Sequence, residues 1–212
     1  MTQGAVVALA LATTLDADAA RRLHDFDGLD EAGIERAVTT LWQQRQGNRE
    51  LPWHLQRLDA AAWVTIAPDR ARIHALAAAD EQEEAELLDR LHSVLSDAAL
   101  VAAWDGDRTW PLLRARAARH GRALPWLWPA ADSHSSLMGV TAAICPAGSS
   151  PASPPLREWA ALLGAPMLSA RASADCQQEA LDTAHALLAL QVARANCSPT
   201  EAQACRSALA RA

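Results

Sequence analysis

The run "AALVAAW", Ala98 to Trp104, carries no polar residue and no alternation. A strand open to water on one face alternates polar with apolar positions. A continuous apolar run of this length fits a central strand covered on both faces. The opening stretch "GAVVALALATTLDAD" holds a second such run, read as a buried strand from Ala5 to Leu11. Two threonines and a polar turn, Leu15-Asp16-Ala17-Asp18, follow it. The chain therefore has to build helices on both sides of a sheet.

The remaining segments supply them. Residues 16–48 read as helical, with Asp16 as a cap, Ile34, Val38, Leu41 and Trp42 at helical spacing, and a stop at Gly47. "LDAAAWVTIAPD" and "RARIHALA" form a β-hairpin turning at Pro68-Asp69. "DEQEEAELLDRLHSVLSD" is an amphipathic helix with Leu87, Leu88, Leu91, Val94 and Leu95 in one stripe and acids crowding its first turns. "WPLLRARAARHG" is a helix with Pro111 in its first turn and Gly121 as its stop. "LREWAALLG", "CQQEALDTAHALLALQVARA" and "SPTEAQACRSALARA" complete a helical C-terminal part, with Ser198 capping the last helix and Pro199 at its first position. The low-complexity stretch 146–155 is a surface loop, too short for a domain linker. A mixed α/β domain around one sheet, spanning residues 1–212, is the expectation.

Composition narrows the function classes. Half of the 212 residues are hydrophobic and 21% are charged, as in a globular chain. Apolar runs fall short of the ~20 residues that span a bilayer, so no membrane partner is expected. The first arginines follow the apolar run instead of preceding it, unlike a secretory signal, and a cytoplasmic location is expected. A net charge of −6 argues against broad electrostatic binding of nucleic acid but leaves room for a local arginine patch. Cys145, Cys176, Cys197 and Cys205 form no CxxC pair and read as buried or incidental thiols instead of zinc ligands. Neither a phosphate-binding loop, a dinucleotide fingerprint nor a serine-hydrolase elbow around His134-Ser135-Ser136 or Ser149-Ser150 is present.

Several stretches, in order, resemble the 3′–5′ exonucleases related to the proofreading domain of family B DNA polymerases. That family belongs to the DEDD group, with an RNase H-like fold. "LPWHLQR" at Leu51–Arg57 is similar to the family's "LPxHLQR". "LVAAWDGDRTWPLLRARAARHG" is similar to "LVSWNGxxFDLPVLxxRALxHG", and "SHSSLMGV" to "RHTDLMDV". "LREWAALLGAP" is similar to "LDEIAxLLGxP". "DCQQEALDTAHALLALQ" and "SPTEAQA" are similar to "YCETDVLNTYLVYLR" and "SPEEYE".

The resemblance implies a mixed sheet flanked by helices and phosphodiester hydrolysis with two Mg²⁺ or Mn²⁺ ions about 3.5–4 Å apart. It also implies that the catalytic acids are missing. The DxE positions of the first strand fall on Ala10 and Ala12, and the Asp of the second motif on Thr109. In the YxxxD motif Asp175 stands at the tyrosine, and Glu179 at the ligand. Two further family acids fall on Ser136 and Gly139. One surviving carboxylate does not organise two ions that prefer strict octahedral oxygen coordination. The expectation is thus a pseudo-exonuclease with no catalytic residue and no cofactor, kept as a scaffold or regulatory domain for a protein partner or a second copy.

Alternatives stay open beside it. Asp105 and Asp107, with Glu179 and Asp182, could form a displaced metal site for residual 3′-end cleavage. His54, Gln56 and Arg57 either lead the chain into the hairpin or edge the old cleft and touch the phosphates of single-stranded nucleic acid. Arg114, Arg116, Arg119, His120 and Arg122 form a basic helix patch, read as a solvated face. Among eight tryptophans, Trp126 and Trp128 sit in a Pro-flanked loop, with Trp104 and Trp110 near the former active-site edge. They anchor loops to the core, or serve a partner. His185, inside an apolar helix, reads as a hydrogen-bonded, half-buried imidazole.

Overall fold

The computed structural model describes residues 5–47, 51–67, 70–128, 136–144, 156–163 and 172–211. Five strands form one sheet: β1 (Val6–Leu15), β2 (Gln56–Ala67), β3 (Arg70–Ala77), β4 (Leu100–Ala103) and β5 (Ser136–Gly139). Their order is β3-β2-β1-β4-β5. β2 is antiparallel to both neighbours, while β4 is parallel to β1 and to β5. The two apolar runs are the central neighbours β1 and β4, and Leu100–Ala103 is buried throughout.

The helices are α1 (Ala17–His24), α2 (Glu31–Gln46), α3 (Glu81–Leu95), α4 (Gly106–Arg119), α5 (Val140–Ile144), α6 (Leu156–Leu162), α7 (Ala172–Ala193) and α8 (Pro199–Leu209). On one face Val7, Leu9, Trp63 and Val101 meet Leu87, Leu88, Leu91 and Leu95 of α3 and Leu112 and Leu113 of α4. On the other, Ala8, Ala10, Ala62, Val64 and Ile66 meet Cys176, Ala180, Leu181, Ala184 and Leu188 of α7 and Cys205 and Leu209 of α8. Small side chains on both sides let α7 lie close to the sheet. The helix is buried continuously from Ala180 to Leu188, polar residues included. The chain is thus mixed α/β with helices covering a five-stranded mixed sheet. Among the described residues, no helix is long and apolar enough to cross a membrane.

Local chemistry explains most boundaries. Asp16 and Asp30 cap α1 and α2 by accepting the backbone N–H of Ala19 and Gly33, both at 2.8 Å. Gly47 closes α2 in the left-handed region at φ 74°. Ser198 and Glu201 form a capping box on α8, with Pro199 in the first turn. Two expectations need correction. β1 runs on through both threonines to Leu15, because β2 continues to pair it as far as Gln56. α4 begins at Gly106 under an Asp105 cap, so Pro111 lies inside the helix, beyond its first turn. The helical segment 16–48 is two helices, α1 and α2, with α1 closed by Asp25 in the left-handed region. The expected hairpin turn Pro68-Asp69, the loop 146–155, Cys145 and Ser149-Ser150 lie outside the described residues.

Candidate functional site

Pairing between β1 and β4 ends at Leu9 opposite Ala103. β4 then turns into α4, while β1 continues for six more residues, through Leu15. The flank of β1 beyond Leu9 therefore lacks a parallel neighbour, and a cavity of about 180 Å³ sits there. Its walls include Ala10, Thr13, Asp105, Arg108, Thr109 and Glu179. Three of the four positions singled out by the family resemblance, Ala10, Thr109 and Glu179, thus share one pocket. Ala12, the fourth, packs with the layer between the sheet and α7. The β1–β2 register shifts between Ala12 and Thr13, a bulge of the kind that re-aims side chains at the end of a strand.

The pocket offers mixed charge. Solvent reaches Glu179 from one side, yet the protein atoms crowding it raise its carboxyl above the ordinary value; Arg108 opposes this, while Asp182 and Asp105 reinforce it. Asp182 is 1% exposed, and burial raises it as well, although the Gln178 carboxamide donates to it at 2.7 Å. Arg108 is the resident cation, and its guanidinium donates to Gln56 Oε1 at 3.1 Å. Burial pushes the neighbouring Cys176 thiol up to about 12, which keeps it protonated and inert. Two divalent ions need several converging carboxylates. The residues at Ala10, Ala12 and Thr109 supply none, so this donor set does not fit a metal pair. Among the described residues, no group of three His, Cys, Asp or Glu side chains is placed to hold a metal.

The other singled-out residues are dispersed. Gln56 is fully buried: its Oε1 accepts from Thr13 at 2.7 Å and from Arg108, and its amide donates to the Leu51 carbonyl. Its amide group is spent inside the protein, away from any phosphate. Arg57 donates to Thr14 Oγ1 and to the Ala79 carbonyl, each at 3.2 Å. His54 is exposed, edge-on to Trp42 and Trp53. Partial burial, with His24 nearby, lowers its pKa. Asp175 is exposed and pairs with Arg157 at 3.2 Å. Gly139 sits where α4 meets β5, so close that a Cβ on Gly106 would come within 2.7 Å of its Cα. Trp126 is buried and Trp128 is 54% exposed, with the Arg114 guanidinium over its ring.

The basic helix patch is corrected most sharply. Arg116 is 4% exposed and sits between two buried carboxylates. It donates through Nη1 to Asp16 at 2.7 Å, through Nε to Glu84 at 2.7 Å and through Nη2 to the second Glu84 oxygen. Glu84 also accepts the Leu58 N–H at 2.7 Å and meets His120 Nε2 at 2.9 Å. Arg119 lies 3.6 Å from Asp16 and pairs with Glu81. Burial alone would raise both acids, but these hydrogen bonds and the Arg116 charge hold Asp16 and Glu84 below their ordinary values. His185 is corrected too: it is 4% exposed, and neither ring nitrogen has a hydrogen-bond partner among the described residues.

Compared with protein-family models, curated proteins and solved structures, the chain matches none.

Proposed function

We propose that this chain is a non-catalytic derivative of the DEDD 3′–5′ exonuclease design, retained as a regulatory or protein-interaction domain. The observation that carries the proposal is the shared pocket: Ala10, Thr109 and Glu179 converge at the open flank of β1, the place where the resemblance puts metal-binding acids. The sheet is compatible with the same reading, being a five-stranded mixed sheet of order β3-β2-β1-β4-β5, with β2 antiparallel to both neighbours and helices flanking it. In the pocket Arg108 now provides positive charge, and the first-strand carboxylates are methyl groups. No water is activated there by a metal pair.

A nuclease assay with Mg²⁺ and Mn²⁺ on labelled single-stranded and 3′-recessed DNA tests this. The chain is expected to release no more nucleotide than its Glu179→Ala variant. Metal-dependent release that Glu179→Ala abolishes would establish instead an enzyme with a rearranged site around Asp105, Glu179 and Asp182.

A second reading, a non-cleaving binder of single-stranded nucleic acid, draws on the exposed Trp53 and His54 beside Arg57. It requires binding that weakens by about 0.7 log units per log unit of salt for each phosphate contacted. Trp53→Ala must weaken it further.

A further inference from the structure

From the free edge of the sheet, we infer that β3 is a docking strand for an acidic, extended segment of another protein. Among the described residues β3 ends the sheet, and only β2 pairs with it. Among the described residues, no other backbone hydrogen bond involves Arg70–Ala77. In an antiparallel ladder alternate residues turn both backbone groups to the same neighbour, so half of its eight residues present an N–H and a C=O outward. An edge of this length is a template for one more strand.

Side chains specify which strand. Ala71, Ile73 and Ala75 pack inward on the layer beneath α7 and α8. Arg70, Arg72, His74 and Leu76 are exposed on the opposite face at period two. His74 is held in place by stacking on Trp63, with ring centroids 5.4 Å apart. Arg70, Arg72 and His74 line a shallow hollow of about 220 Å³ with Ala5, Thr65 and Ala67, and among the described residues no acid lines it. In a chain of net charge −6 this is a local positive strip, spaced as the side chains of a strand are. Acids at alternate positions of an added strand would stand directly opposite the two arginines, where cross-strand pairs of opposite charge are favourable. The strip also disfavours pairing of two β3 edges, which would bring arginines together. Backbone bonds would supply affinity, and the charge strip would select the partner.

This inference leans on the proposed interaction role only for its biological use. Binding at β3 and the absence of 3′-end cleavage are read in separate assays, so either can fail alone. The probe is a fluorescein-labelled peptide alternating glutamate and threonine, followed by anisotropy against the full chain. The peptide is expected to bind, whereas its lysine counterpart is not. Arg70→Glu with Arg72→Glu is expected to weaken binding at least tenfold, with Arg70→Ala and Arg72→Ala intermediate. N-methylation of every second amide is expected to abolish binding in one phase and spare it in the other. Backbone amides 70–77 should gain protection from hydrogen exchange when the peptide is present. Failure to bind, or equal binding by the doubly N-methylated phases or by the glutamate variant, would overturn the proposal. So would protection of 70–77 that scales with the concentration of the chain alone, which would assign the edge to a second copy.

Discussion

Two groups of ionisable side chains lie in this molecule, and they obey opposite rules. In the cluster of Asp16, Glu84, Arg116 and His120, each buried carboxylate has a guanidinium or backbone partner, and both acids are held below their ordinary values. On α7, Glu179 in the pocket at the end of β1 and the buried Asp182 three residues on are both raised, Glu179 by crowding protein atoms with Asp182 and Asp105 nearby, and Asp182 by burial. Surrounding protein atoms push all four carboxyls upward. What differs is the balance: Arg116 is enclosed between its acids and outweighs their burial, while at Glu179 the opposing charge of Arg108 is outweighed by crowding and by the nearby Asp182 and Asp105. The paired cluster ties α1, α3 and α4 together and is structural. The pocket is the place where the proposed function puts the lost metal site.

The largest expected effect comes from removing the partner in the paired cluster. Arg116→Met leaves two buried carboxylates uncompensated and should cost about 3–5 kcal/mol in urea denaturation. Adding Glu84→Gln and Asp16→Asn to that variant should recover part of the loss. A cost below about 1 kcal/mol would mean the cluster is no tighter than a surface ion pair.

Ala10→Asp is next. Ala10 is 3% exposed and packed against α7, so a lone carboxyl there should cost about 2 kcal/mol or more. A variant as stable as the parent would show that the layer under α7 is loosely packed.

Acidification should separate the two regions by sign. Asp16 and Glu84 are depressed in the folded chain, so their contribution is full above the ordinary values of 3.8 and 4.5 and is lost as pH falls through the lower folded values. Glu179 and Asp182 are raised, so theirs is full below 4.5 and 3.8 and is lost as pH rises through the folded values. Denaturation followed through the carboxylate range should show Glu84→Gln flattening the acid limb. Glu179→Gln should change only the rise toward neutrality. The reverse assignment would break the comparison.

The smallest effect is expected from Asp182→Asn. It keeps the acceptor for Gln178 and removes a poorly solvated charge. A gain of about 1 kcal/mol or less, a few degrees in Tm, is expected at neutral pH and none below the carboxylate range.

Much of this was legible in the residues. The unalternating runs around Leu9 and Val101 demanded central strands, and Ser198-Pro199 announced the start of α8. The paired cluster also leaves a trace in the sequence. Glu84 continues the stripe of Leu87, Leu88, Leu91 and Leu95 one turn earlier, and Arg116 stands on the buried face with Leu112 and Leu113. A charge on an apolar stripe asks for a partner, whereas composition alone suggests a solvated face. Other features were not legible from local pattern. β5 is four residues long and, among the described residues, joins the sheet only through β4, and Gly106 faces Gly139 only after the crossover is made. Gln56 reads as a surface residue in "HLQR", and only tertiary contact with Thr13 and Arg108 takes it inside.

Calorimetric titration of Mn²⁺ into the chain and into an Ala10→Asp, Ala12→Glu, Thr109→Asp variant tests most directly whether the β1 pocket is a metal site emptied of its ligands. The expected result is no binding heat for the parent, and for the variant binding of two ions with a matching rise in Tm, since a ligand that binds only the folded state stabilises it. Saturable Mn²⁺ binding by the parent that Glu179→Gln removes, or a variant that folds yet takes up no metal, would contradict it.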